Sequence, residues 1–182
     1  MTETTASPKR VLCLCGSLRR VSANRAALEA ARELAPASLR LELYSGMGAL
    51  PLFSPDTEVA PLPPAVLGLR EAVGCANALL IACPEYAHGI PGAFKNLLDW
   101  LVSALEFPAK PVLLLNTSAR GSHHAQDALR EVLTTMSARL LSAGPLPVQL
   151  PGAGCTTEAV RASDDRCREL ETVLGVLAAG LA

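Results

Sequence analysis

The sequence predicts an α/β fold, in which helices cover both faces of an open, doubly wound parallel sheet. Short apolar runs alternate along the chain with segments of helical periodicity, which is the pattern of βαβ units. Hydrophobic residues make up 50% of the 182 residues but aromatic residues only 3%, so the core must consist mainly of Ala, Leu and Val. This length suits a single domain over residues 1–182, in which the polar segment 1–9 is expected to be flexible.

Five strands and five helices are predicted from these patterns. The strands are expected at Val11–Cys15, Leu39–Leu43, Ala78–Cys83, Pro111–Leu115 and Leu146–Leu150. The helices are expected near residues 22–34, 64–73, 91–101, 125–141 and 157–177. Residues 45–64 are rich in Pro, Gly, Ser and Asp and are predicted to form a long loop, a feature that is often functional.

Charge and composition also restrict the partners. The formal net charge is −1, so no basic surplus points to nucleic acid or to an anionic membrane surface. The apolar runs are too short to span a bilayer, and the N-terminus lacks the apolar segment of a signal peptide. A cytoplasmic protein is therefore expected. The six cysteines include no C-x-x-C pair and are expected to be free, buried thiols.

Three polar turns follow predicted strands, at residues 16–24, 84–92 and 116–123. Open doubly wound sheets bind ligands beyond the carboxyl ends of their strands, near the point where the strand order reverses. The three turns are therefore expected to lie at one edge of the sheet. They are the candidate functional segments.

The first turn has the residue types of a phosphate site. It enters a helix, whose unpaired N–H groups and partial positive charge attract an anion. Ser17, Ser22 and Asn24 add neutral donors, and Arg19 adds a charged, forked one. Neither G-x-G-x-x-G nor a P-loop pattern is present. An ordinary helix cap beside a solvated arginine is the alternative, and the residues alone leave both interpretations open.

The second turn contains two glycines and two prolines, which restrict its backbone. A planar ring could lie against such a turn, and Tyr86 offers an amphipathic surface. His88 is either an acid–base group or simply solvated. On the following helix, Lys95 and Asp99 are spaced as an i, i+4 ion pair.

The third turn is rich in hydrogen-bond donors and small residues. His123 and His124 are adjacent, so on a helix they point about 100° apart, which is poor geometry for binding one metal ion. No metal site is expected.

Two of these turns carry a family resemblance. The first motif comprises Gly16, Ser17, Leu18, Arg19, Ser22 and Asn24. The second comprises Pro84, Glu85, Tyr86, Gly89, Pro91, Gly92, Lys95, Asn96, Asp99 and Trp100. The first resembles the opening motif of the NADPH-dependent FMN reductase family, and the second resembles that family's P-E-Y-N-x-x-x-P-G-x-x-K-N-x-x-D-W signature. The resemblance extends over about residues 11–149.

The resemblance implies a flavodoxin-like sheet of strand order 2-1-3-4-5 and a bound FMN. It also implies hydride transfer from NADPH or NADH, through FMN, to a free flavin, a quinone, an azo compound or a metal oxyanion. The family forms dimers or tetramers, so a homodimer or homotetramer is expected, with Leu52, Phe53 and Trp100 as candidate interface residues. Because the flavin carries the chemistry, no side chain is nominated as catalytic.

The resemblance also assigns binding roles by position. Ser17, Arg19, Ser22 and Asn24 would hold the FMN phosphate. Pro84, Glu85 and Tyr86 would line the ribityl chain and the isoalloxazine ring, and Ser118 and Gly121 would face the ring from the third turn. Backbone N–H groups beside Ala87 and Gly121 are candidates for stabilising the reduced flavin.

The chain departs from the family pattern at two places. Ala87 replaces the usual asparagine, and Arg120 stands in a turn that often has consecutive glycines, where it either crowds the ring or binds an anionic partner. Two alternatives follow. A flavodoxin-type electron carrier is disfavoured by the near-neutral charge and by the arginine in the first turn. A non-enzymatic binding module is suggested by Ala87 and Arg120.

Overall fold

The computed structural model describes residues 7–59, 61–152 and 154–182. Its strands are β1 (Lys9–Cys15), β2 (Leu39–Leu43), β3 (Ala78–Ala82), β4 (Pro111–Ser118), β5 (Arg139–Leu140) and β6 (Leu146–Leu150). Its helices are α1 (Ala23–Leu34), α2 (Pro64–Cys75), α3 (Gly92–Asp99), α4 (His123–Thr135), α5 (Thr157–Arg161) and α6 (Asp164–Gly180). Of the predicted flexible segment, residues 1–6 lie outside the described residues, whereas Lys9 already pairs with Leu39.

The strands form one parallel sheet in the order β2-β1-β3-β4-β5, with β6 also paired to β4. β1 lies between β2 and β3, so the order reverses there and creates the predicted switch point. The flavodoxin-like prediction is confirmed, with one strand more than expected.

Two short strands, β5 and β6, lie along the same edge of β4. β5 pairs with the start of β4 at Pro111 and Val112, and β6 pairs with its end, from Leu115 to Ser118. The predicted helix over 125–141 was therefore wrong at its C-terminus, since α4 ends at Thr135.

A Schellman-type cap ends α4. Ser137 has a φ of 63°, its N–H donates to the carbonyl of Thr134, and the N–H of Ala138 donates to the carbonyl of Leu133. Serine stands where glycine usually signals such an end, so the sequence pattern did not reveal it.

Each face of the sheet is covered, as predicted. Alternate residues of β1 point to opposite sides: Val11 and Cys13 pack with α1 and α6, whereas Leu12 and Leu14 pack with α2 and α3. The predicted helix over 157–177 is interrupted between α5 and α6. Ser163 occupies the N-cap position there, followed by two acidic residues in the first turn of α6.

The long loop before α2 is fixed to α3. Asn96 accepts the N–H of Phe53 through Oδ1 (2.8 Å) and donates through Nδ2 to the carbonyl of Pro51 (3.0 Å). One helical turn later, Trp100 Nε1 donates to the same carbonyl at 2.8 Å. These three bonds are called the Asn96 clamp below. The expected pair of Lys95 and Asp99 is also formed, at 2.5 Å.

Candidate functional site

The three candidate turns meet in one cleft at the carboxyl ends of β1, β3 and β4. Eight of the ten predicted binding residues line it: Ser17, Arg19, Ser22, Asn24, Pro84, Glu85, Tyr86 and Ser118. Ala87 and Gly121 are not among its lining residues. Thr117, Ser122 and Gly152 also line the cleft and were not predicted to do so.

The first turn presents an open helix N-terminus to this cleft. Ser22 is the N-cap residue of α1, yet within the described residues its side chain makes no capping hydrogen bond. The first turn of α1, which is described in full, contains no acidic side chain. Ser17 Oγ accepts the N–H of Arg19 (3.2 Å), which fixes the turn. The first turn of α1 therefore has neither a side-chain cap nor an acidic neighbour within the described residues.

Asn24 joins the first turn to the third. Its side chain is buried, and its Oδ1 accepts a hydrogen bond from Thr117 Oγ1 at 3.0 Å. Its carbonyl oxygen is therefore engaged in holding α1 against β4, and only the Nδ2 group is left to donate to a ligand.

Gly16 lets the first and second turns touch. A Cβ atom at this position would lie 2.6 Å from Cys83 Sγ and 3.0 Å from Cys83 Cα. The Gly16 N–H also donates to the carbonyl of Ala82 at 2.8 Å. The motif glycine is thus required by the close approach of the residues that directly follow β1 and β3.

The second turn is a tight reversal between Tyr86 and Gly89. These two residues exchange backbone hydrogen bonds of 3.1 and 3.0 Å, while Ala87 (φ 49°) and His88 (φ 59°) occupy the left-handed region between them. Two consecutive residues of positive φ define a type I′ turn, which favours Asn and Gly. Tyr86 is half exposed, so its ring is accessible to a ligand.

Glu85 reaches across to the third turn. Its Oε2 accepts the N–H of Ala125 at 3.0 Å, in the first turn of α4. Ser122, the N-cap residue of α4, has a φ of 45° and within the described chain makes no side-chain cap. Glu85 therefore replaces the missing local cap, a role that the sequence pattern did not suggest.

Asn116 organises the third turn. Its Nδ2 donates to the carbonyl of Gly121 (2.5 Å), and its Oδ1 accepts the N–H of Ser118 (3.0 Å). Ser118 Oγ accepts the N–H of Arg120 (3.2 Å). The Arg120 side chain lines a neighbouring pocket and not the cleft itself.

The cleft contains no reactive thiol. Cys83 lines it, but burial raises the pKa of this thiol from 9.0 to about 12, so it stays protonated at neutral pH. All six cysteines are free, and Cys13, Cys83 and Cys155 are buried.

No group of three or more His, Cys, Asp or Glu side chains in the described ranges could hold a metal ion. Among the same residues, every helix is too short or too polar to cross a membrane.

A parallel sheet with a donor-lined cleft at its switch point defines the flavodoxin-like class of mononucleotide-binding proteins. The sequence also matches the profile of the NADPH-dependent FMN reductases over residues 9–149. The chain belongs to this family. It is accordingly an oxidoreductase of the class that uses FMN and NAD(P)H.

Relatives and solved structures agree with this assignment. The chain is 35% identical over 165 residues to an NAD(P)H-dependent FMN reductase of Pseudomonas aeruginosa, covering 88% of each chain. It is 31% identical over 138 residues to a quinone reductase of Escherichia coli, covering 73% of each. The flavoenzyme NAD(P)H:(acceptor) oxidoreductase FerB of Paracoccus denitrificans superposes with a TM-score of 0.77 at 25% identity, covering 95% of this chain and 97% of that one.

Proposed function

We propose that the cleft binds FMN and that the protein passes hydride equivalents from NAD(P)H to a small acceptor of the quinone type. One observation carries the proposal: the uncapped N-terminus of α1 and Arg19 line the same cleft as Pro84 and Tyr86. Bound FMN would supply the redox chemistry, because no protein side chain can accept a hydride.

The first turn is suited to holding the FMN phosphate. Ser17, Ser22 and the Asn24 Nδ2 group are neutral donors at this end of the cleft, and Arg19 brings a full positive charge. The N–H groups of the first turn of α1 add the partial charge of a helix N-terminus. All these groups stabilise a dianion, and no carboxylate among the described residues of the first turn opposes it.

The second and third turns are suited to holding the flavin ring. Pro84 and the half-exposed Tyr86 give this part of the cleft apolar surface, and Ser118 gives it a hydroxyl. The Glu85 carboxylate is engaged with Ala125, so we assign it the role of fixing the two turns relative to each other. Backbone N–H groups beside Ala87 and Gly121 would approach the ring only at the margin of the cleft.

A quinone-type acceptor is supported by two kinds of observation. Relatives from Escherichia coli and Pseudomonas putida are named quinone reductases, the latter at 34% identity over 128 residues. The exposed Tyr86 ring offers a flat apolar surface at the cleft, which suits a planar acceptor.

A homodimer or homotetramer in the cytoplasm completes the proposal. Trp100 is fully buried and packs edge-on against Phe53 at 5.1 Å, so it belongs to the core and not to an interface. Leu52 and Leu105 are 85% and 93% exposed and are the candidate contact residues. Free cysteines fit a reducing compartment. Light scattering at micromolar concentration tests the assembly, and a monomer would contradict it.

The absorbance spectrum of the purified protein tests the function. We expect flavin bands after addition of FMN and bleaching by NADPH under anaerobic conditions. Arg19→Ala should weaken FMN binding by roughly 1.5–3 kcal/mol, since it removes a charged hydrogen bond. Arg168→Ala, on the exposed side of α6, is the matched control. Flavin that binds but is not reduced would indicate an electron carrier, and a protein that takes up no FMN would indicate a binding module.

A further inference from the structure

All three histidines of the chain lie in one cluster. The rings of His88 and His124 stack with their centroids 4.4 Å apart, and those of His123 and His124 are 4.1 Å apart. His88 comes from the type I′ turn, whereas the other two are the first residues of α4. The fold therefore brings together imidazoles that are 35 residues apart in the sequence.

The cluster borders a pocket of about 560 Å³ next to the flavin cleft. The two spaces share four lining residues: Glu85, Ser118, Ser122 and Gly152. The pocket and the cleft therefore adjoin, so that one molecule could occupy both.

Hydrogen-bond donors predominate around the pocket. Arg120 lines it and forms no ion pair within residues 7–59, 61–152 and 154–182. The N-terminus of α4 lies at its wall, and the three imidazoles offer ring N–H groups as donors. Glu85 is the acidic residue among the lining side chains, and its carboxylate is engaged by the N–H of Ala125.

A metal ion is not the ligand that this geometry favours. The imidazole planes of His88 and His124 are inclined by only 23°, so the rings stack face to face and their nitrogens do not converge on one point. Stacked imidazoles beside a guanidinium instead suit an anion, to which every one of these groups can donate.

We propose that Arg120 and the three histidines bind an anionic group, a phosphate or a sulfonate, on the substrate that enters beside the flavin. This inference rests on the proposed function. Two sources can supply such a group: the 2′-phosphate of NADPH, or an anionic substituent of the acceptor. The pocket would in either case select substrates by charge and would not take part in the redox step.

Nitrogen NMR of the histidine rings tests the proposal, because every imidazole signal in this protein reports on the pocket. Inorganic phosphate is titrated at low ionic strength and constant pH into the FMN-loaded protein. We expect saturable shifts of the imidazole signals. Arg120→Ala should weaken this binding about tenfold or more, and Arg168→Ala should leave it unchanged.

Two pairs of compounds identify the source of the anion. Tighter binding of adenosine 2′,5′-bisphosphate than of adenosine 5′-phosphate assigns the pocket to NADPH. Tighter binding of benzenesulfonate than of benzenesulfonamide assigns it to the acceptor. Imidazole signals that do not shift, or that shift equally in Arg120→Ala, would overturn the proposal. The flavin spectrum of the same sample decides the proposed function separately, since failure to take up FMN is visible before any anion is added.

Discussion

The Glu85 carboxylate accepts a hydrogen bond from the backbone N–H of Ala125, 40 residues further along the chain. The bond joins the turn after β3 to the helix after β4. It places a negative charge at the N-terminus of α4, where the helix dipole stabilises it. A motif residue that was expected to contact a ligand is thereby part of the framework of the cleft.

Removing this cap should destabilise the protein. Glu85→Ala leaves the Ala125 N–H without its partner, and we expect a loss of about 1–2 kcal/mol in the free energy of unfolding. Urea denaturation measures the loss, with the exposed Glu131→Ala of α4 as the control. Equal stability of the two variants would show that the bond contributes nothing.

Two glycine substitutions should have opposite effects on stability. Gly16→Ala forces a Cβ atom against the backbone and sulfur of Cys83 and should cost about 1–3 kcal/mol. Gly68→Ala, inside α2, meets no atom within 4 Å and should stabilise by about 0.5–1 kcal/mol. Thermal unfolding compares the two, and a Gly16→Ala protein as stable as the wild type would contradict the close approach.

Loss of the Asn96 clamp should release the loop locally. Asn96→Ala removes two of the three hydrogen bonds of the clamp and leaves the bond from Trp100 to Pro51 in place. The Phe53 amide loses its partner and should exchange with solvent at least about tenfold faster. Hydrogen exchange followed by NMR measures this rate. Amides of β1 are the internal control and should keep their protection. Uniformly faster exchange would indicate global destabilisation.

Ala87 is a site where stability can be gained. Its φ of 49° is unfavourable for alanine, whereas asparagine is well tolerated in the left-handed region. Ala87→Asn should therefore raise the unfolding free energy by roughly 0.5–1 kcal/mol. Ala93→Asn, within α3, should lower it instead. Destabilisation by Ala87→Asn would argue against the type I′ geometry.

Stability should fall in alkaline solution. Burial raises the pKa of the Cys13 thiol from 9.0 to about 12, so the folded state keeps a proton that the unfolded chain loses. The stabilisation is complete below pH 9 and decreases above it, by ~1.4 kcal/mol per pH unit until the folded thiol itself ionises. Urea denaturation at pH values from about 8 to about 11 checks this slope, because this range lies around the pKa of 9.0 and below the pKa of about 12 of the folded thiol.

Cys13→Ala should make the alkaline slope shallower, because it removes the buried titrating group. Cys75→Ala, at an exposed position, should leave the slope unchanged. Identical slopes in all three proteins would assign the alkaline transition to other groups.

Apolar periodicity was sufficient to predict the strands of the parallel sheet, because it determines which residues become buried. The strand order that creates the switch point was predicted from the family resemblance and not from periodicity. Periodicity was insufficient for the end of α4, where Ser137 adopts the conformation that glycine normally signals. The short strand β5 (Arg139–Leu140), which pairs with β4, was also missed, because a two-residue strand has no periodicity to detect.

At the candidate site, the sequence identified the turns but not the contacts between them. The pairs Asn24–Thr117 and Glu85–Ala125 join residues that only the folded sheet brings together. The roles of Asn96 and Trp100 were likewise hidden, because their partner is a backbone carbonyl and carries no sequence signal. Residue types thus predicted which turns form the cleft, the family resemblance predicted its chemistry, and tertiary contacts determined which atoms remain available.

Because Gly16 packs on Cys83, the labelling rate of this thiol reports on the opening of the first turn at the cleft. Cys83 is only 3% exposed, and a Cβ atom at Gly16 would lie 2.6 Å from its sulfur, so the first turn covers the thiol and hinders attack by a reagent until it moves away. When the turn recloses faster than the reagent reacts, the rate of thiol labelling is proportional to the fraction of time for which the turn is open. Any ligand that fastens the first turn lengthens the interval between openings, so its occupancy can be followed without observing the ligand.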